Sequence, residues 1–192
     1  MSSSSVPLTF ADCPFVTRSV RSGGLSKREL LTALRQAGIE LNEAGQALFA
    51  HNGFTTSKVA TQVESVEITV ASLGLVQGAT MDNILARAGQ LGLSLCPLEL
   101  GPYLRLHYLD QPEGFLGHPL SPHTAPPGSV TIASRQLAAD ENTPKGFYLR
   151  RINGVLWLRG YRSGSDHVWS PGDRLVFAVS AHAPNNLRRR GR

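Results

Sequence analysis

The side chains best equipped for binding chemistry in this chain of 192 residues crowd into one stretch, 146–163, where aromatic rings alternate with arginines. Within it Asn153-Gly154 is the strongest short-range signal for a two-residue type I′ turn, and it predicts a hairpin of two strands, Gly146–Ile152 and Val155–Tyr161. Such a turn fixes the register, so that Ile152 faces Val155, Arg150 faces Trp157, Leu149 faces Leu158 and Tyr148 faces Arg159. Successive strand residues point to opposite sides, which sorts the hairpin into two chemistries. Phe147, Leu149, Leu156 and Leu158, with Arg151 near the turn, make a face that should pack on helices. Tyr148, Arg150, Trp157, Arg159 and Tyr161, with Ile152 and Val155 near the turn, make a face of rings and planar cations. That face can stack a base or nucleotide ring and hold a phosphate or carboxylate. A strand predicted over 103–109 would extend it with Tyr103, Arg105 and His107. The plainer alternative is that the Arg–Trp stacks only solubilise an exposed sheet or lie under a long loop.

A second group of residues suggests acid–base chemistry. His107, Asp110 and Glu113 follow the predicted strand, Asp166-His167 follows the hairpin, and Arg105 could stabilise an anion; together they would make a small hydrolase or nuclease. The competing reading is that these are solvated loop residues. His118 and His123 stand five apart in a proline-rich loop without a cysteine or carboxylate pair, so no metal site is expected, and no cofactor either. Cys13 and Cys96 are too few for a disulfide framework and are expected to be reduced thiols. The chain has no phosphate loop, no dinucleotide-binding glycine motif, no nucleophile elbow and no H-E-x-x-H pair, which disfavours the common nucleotide hydrolases, dinucleotide enzymes and serine hydrolases.

These residues need a scaffold, and the sequence predicts an α+β one: helices in the amino-terminal half, then a mainly antiparallel sheet centred on the hairpin. Ser26 and Glu29 form a capping box for a helix over 27–37 that ends at Gly38, Asn42 caps a second helix to Ala50, and Thr80 caps a third over 81–91. Alternating Val66, Ile68 and Val70 predict a strand over 63–71, and further strands are expected over 103–109, 129–134 and 175–179, the last after a turn at Ser170-Pro171-Gly172-Asp173. The segment 111–128, with five prolines, is expected to be an irregular loop. The organisation expected is a flexible lead-in over 1–24, one domain over 25–181 and a basic flexible tail over 182–192. Setting aside Arg188, Arg189, Arg190 and Arg192 with Arg18, Arg21 and Asp12 from the 19 basic and 14 acidic residues leaves a body of zero formal charge, so the net charge of +5 belongs to the ends. Without a signal-like or membrane-spanning segment, a cytoplasmic protein is expected.

The segments Leu98-Glu-Leu-Gly-Pro-Tyr-Leu-Arg-Leu, Tyr108-Leu-Asp-Gln-Pro-Glu-Gly and Gly146-Phe-Tyr-Leu-Arg-Arg-Ile-Asn-Gly-Val-Leu-Trp-Leu-Arg-Gly-Tyr-Arg-Ser resemble those of a family of small bacterial proteins of uncharacterised activity, over roughly residues 25–178. Some members carry the label helicase, which this chain contradicts, having neither a phosphate loop nor the length for two motor domains. The resemblance implies that the lead-in and the arginine tail lie outside the shared body. The function expected is a non-enzymatic binding or accessory protein using Tyr148, Arg150, Trp157, Arg159, Tyr161, Tyr103 and Arg105. Its partner would be a small ligand, a protein, a second copy of the chain or, through the terminal arginines, nucleic acid; no membrane is expected.

Overall fold

The computed structural model describes residues 15–114 and 125–179. The chain enters through β1 (Phe15–Ser22), which residue types rich in Thr, Ser and Arg disguised as lead-in; it is an eight-residue strand paired antiparallel with β3. Helix α1 (Lys27–Gln36) starts as expected: the Ser26 hydroxyl accepts from the Glu29 amide while the Glu29 carboxylate accepts from the Ser26 amide at 2.8 Å. The Ser26 hydroxyl also donates to the Glu29 carboxylate at 2.7 Å, and that bond, with the one from the Ser26 amide, holds the carboxyl below its usual range. The short β2 (Ile39–Leu41) leads to α2 (Glu43–Ala50), whose first turn is capped by Asn42, its Oδ1 accepting from the Gly45 amide at 2.9 Å. After β3 (Thr61–Thr69) comes a 3-10 turn (Ala71–Leu73), then β4 (Ala79–Thr80) and α3 (Met81–Gln90). Thr80 occupies the N-cap of α3 but makes no side-chain capping bond.

Past β5 (Leu93–Ser94), the structure corrects the sequence reading. Residues 100–107, part of which was expected to be a strand, form α4 (Leu100–His107). Residues 100–105 are all buried, so polarity along the segment carries no clear period, and the apparent alternation of Leu104, Leu106 and Tyr108 is accidental. Pro102 does not oppose the helix, because first-turn amides have no intrahelical partner. The remaining elements are β6 (Val130–Ile132), β7 (Gly146–Ile152), β8 (Val155–Tyr161), β9 (Val168–Trp169) and β10 (Arg174–Val179).

The protein is thus α+β, with four α-helices among the described residues and a mixed, mostly antiparallel sheet in the order β1-β3-β10-β6-β7-β8-β2, β5 adding onto β10. The β10–β6 and β2–β8 pairs are parallel. β7 and β8 pair in the register expected from Asn153-Gly154, both of whose residues have positive φ, 51° and 77°.

Alternation along the central strands gives the sheet two inner faces. On the first, Val130, Ile132, Phe147, Leu149, Leu158 and Val176 pack against Leu30 and Leu34 of α1, Leu48 and Phe49 of α2 and Leu100 and Leu104 of α4. On the second, Val66, Ile68, Leu175 and Phe177 pack against Leu73 of the 3-10 turn and Ile84 and Ala88 of α3. The small β4–β9 pair lies on this second side, carrying Trp169 into the same cluster. No helix among the described residues is long and apolar enough to cross a membrane.

Candidate functional site

The second face changes character toward β7 and β8. Thr131 of β6 stands beside Tyr148 of β7, which stands beside Arg159 of β8, and there the covering helices give way to a cavity of about 640 Å³. Tyr148, Tyr161, His167 and Trp169 line it, with Thr131 and Gly160 from the sheet, Ala125-Pro126, and the loop carrying Arg162, Ser163 and Asp166. The rings meet edge to face in a chain: Tyr148 to Tyr161 at 6.5 Å between centroids, Tyr161 to Trp169 at 5.8 Å, and His167 to Trp169 at 5.1 Å. Burial pushes the Tyr161 phenol well above its usual range, so it stays a protonated donor. Trp169 is 4% exposed, and its indole Nε1–H makes no hydrogen bond among the described residues.

The arginine–aromatic ladder adjoins this cavity. The Arg159 guanidinium lies 5.1 Å from the Trp157 ring centroid and 6.0 Å from that of Tyr148, the residue that also walls the cavity. Tyr148 is buried to 9% exposure and Arg150 to 5%, while Trp157, Arg159 and Tyr161 are half-buried. Burial draws the Arg150 guanidinium below its ordinary range, with Arg159 acting in the same direction and Tyr148 against it.

A glycine sets the rear wall. A Cβ on Gly160 would stand 2.5 Å from the Ala44 carbonyl carbon, so only glycine lets β8 reach the start of α2. The cap residue Asn42 then pairs with the Gly160 backbone as another strand would, its Oδ1 accepting from the amide at 2.8 Å and its Nδ2 donating to the carbonyl at 3.0 Å. The helix cap and the wall of the site are therefore held by one side chain.

Three expected site residues lie elsewhere. Tyr103, Arg105 and His107 belong to α4 and not to a strand beside β7. The Tyr103 hydroxyl accepts from the Leu25 amide at 3.0 Å, a packing role. Arg105 is 0% exposed and donates to the Gln111 side chain and to the Tyr108 carbonyl; Gln111 in turn donates to Gly128 and Leu149 carbonyls. Burial lowers the Arg105 guanidinium to about 10, which leaves it charged at neutral pH, and its bonds tie the loop after α4 to β7. It is a strut of the fold.

The acid–base set is not brought together either. His107 and Asp110 are exposed at the end of α4, and neither lines the cavity that contains His167. Ser163 and Asp166 share that cavity with His167, but no hydrogen bond joins the three among the described residues, whereas an activated nucleophile needs its base within about 3 Å. Among the described residues no three His, Cys, Asp or Glu side chains are grouped to hold a metal ion. Cys96 is a buried free thiol whose pKa burial drives upward, which makes it inert. His118, His123, Cys13 and the terminal arginines lie outside the described residues.

Sequence reasoning missed Trp169, the most buried of the rings that line the cavity. Its signal was slight, a lone aromatic before the Ser170–Asp173 turn in a two-residue strand. The chain matches no family model, no curated protein and no solved structure, so its site is defined by its own geometry.

Proposed function

We propose that the protein is a non-catalytic, cytoplasmic binding protein that holds its ligand on the ring and arginine strip of the second face, from Trp157 and Arg159 across Tyr148 to Tyr161 and Trp169. One observation carries this reading: Tyr148 is shared between the Arg159 stack and the wall of a cavity large enough for a small molecule. The positive φ at both Asn153 and Gly154 supports a type I′ turn, which keeps the two strands of the strip in fixed register.

The test is a thermal-shift screen of the full chain against a broad metabolite library. A ligand that raises the melting temperature of the wild type, with the shift lost in Trp157→Ala and Tyr161→Leu but kept in the remote Val59→Ser, supports the reading. A screen without a ligand, or hits indifferent to both strip variants, would overturn it.

A further inference from the structure

The cavity and the arginine beside it make unequal demands on a ligand, and together they narrow its class. The cavity offers ring faces and edges from four aromatic side chains, which suits a flat ring system. Burial keeps the Tyr161 phenol neutral, so that ring brings no negative charge to the cavity.

Arg159 asks for something different. The ion pairs among the described residues join Arg18 and Arg174 to Glu67 and Arg151 to Glu113, and Arg159 takes part in none of them. Its guanidinium carbon lies 5.1 Å from the Trp157 ring centroid and 6.0 Å from that of Tyr148, and with no carboxylate among the described residues paired to it the guanidinium suits a planar or tetrahedral oxyanion. Arg162 adds positive charge on the cavity wall, its Nε donating to the Asn142 carbonyl at 2.9 Å. The Asp166 carboxylate lines the same cavity, which directs an anionic arm away from it and toward Arg159.

Resting on the binding reading above, we propose that the cavity and Arg159 form one bipartite site for a heteroaromatic ring bearing an anionic arm, the chemistry of a free nucleoside monophosphate. The ring enters among Tyr148, Tyr161 and Trp169, and the phosphate crosses Tyr148 to Arg159.

Calorimetric titration of the full chain with AMP, GMP, CMP and UMP, their four nucleosides and inorganic phosphate tests it. At least one monophosphate should bind about tenfold more tightly than its own nucleoside, the equivalent of one charge-assisted contact. Arg159→Gln should abolish that advantage and leave the nucleoside affinity unchanged, and Arg159→Lys should restore part of it. If Arg159→Gln does not fold, the wild-type ratio of nucleotide to nucleoside affinity decides alone. Equal affinity for the two overturns the anionic arm while leaving the binding strip intact. Failure of all eight ring compounds overturns the bipartite site, whereas failure of the broad library is what removes the strip itself. Tighter capture of a single-stranded oligonucleotide than of any mononucleotide overturns the assignment to a free small ligand.

Discussion

The two faces of the sheet use the same strands for opposite purposes. On the first, α2 and α4 cover β7 and β8 with α1 packed beside α4, and the residues beneath are Phe147, Leu149 and Leu158. On the second, α3 and the 3-10 turn cover β3 and β10, where Val66, Ile68, Leu175 and Phe177 lie, but no described helix continues over β7 and β8. Where that cover ends, aliphatic side chains give way to Thr131, Tyr148, Arg150, Trp157 and Arg159, which bury a flat or aliphatic body and keep a polar tip. Strand composition thus records what lies above each residue, and the site begins where the second layer stops.

The largest expected effect tests the covered side. Leu149→Ala removes a fully buried side chain between the sheet and the helices and should cost about 2–5 kcal/mol in chemical denaturation. Next comes a charged part of the same face. Glu67, 4% exposed, accepts from Arg18 at 2.7 Å and from Arg174 at 2.8 Å, and Arg18 stacks at 4.0 Å on Tyr108. Glu67→Gln leaves both cations without their carboxylate and should cost about 2 kcal/mol, a figure held down by the exposure of Arg174, without changing ligand binding. Trp157→Ala, on the open side, should change stability by less than about 1 kcal/mol while impairing binding. A loss as large as that of Leu149→Ala would make the second face ordinary core and break the comparison.

The smallest effect concerns Asp173, in the turn that follows β9. Its Oδ2 accepts from the Ser170 amide at 2.8 Å, yet burial outweighs that bond and raises the carboxyl above its ordinary 3.8. The folded protein therefore holds this proton more tightly than the unfolded chain. Its contribution favours folding most in acid and fades as pH climbs from 3.8 through the raised value. Asp173→Asn should flatten that part of the stability–pH curve, measured by urea unfolding at closely spaced pH values.

What the sequence made legible was local. Ser26 with Glu29, and Asn42 before α2, are signals set by residues three apart, and Asn153-Gly154 determined the pairing of fourteen strand residues from a single turn. The two hairpin faces followed from parity alone. The α4 segment was misread because burial on all its sides removes the contrast on which periodicity depends. The strand β1 was missed because its alternation is built from Thr, Ser and Arg, and its place is given by β3, some forty residues later. The cavity was invisible for a related reason: β6, the hairpin, the 162–167 loop and β9 meet only in the folded chain, and Trp169 becomes a wall only when β9 pairs with β4.

The placement of the two tryptophans has an optical consequence. Trp157 and Trp169 are the only ones in the chain, and both belong to the second side, the first half-buried on Arg159 and the second enclosed beside His167. Intrinsic emission should therefore contain a redder and a bluer component, and neither looks onto the helix-covered face. Unfolding followed by fluorescence reports the ligand side, while far-ultraviolet dichroism, weighted toward the helices, reports mainly the other. If the two curves separate along the denaturant axis, the protein melts in halves and the site loosens before or after its scaffold; if they coincide, the shared strands bind both faces into one cooperative unit.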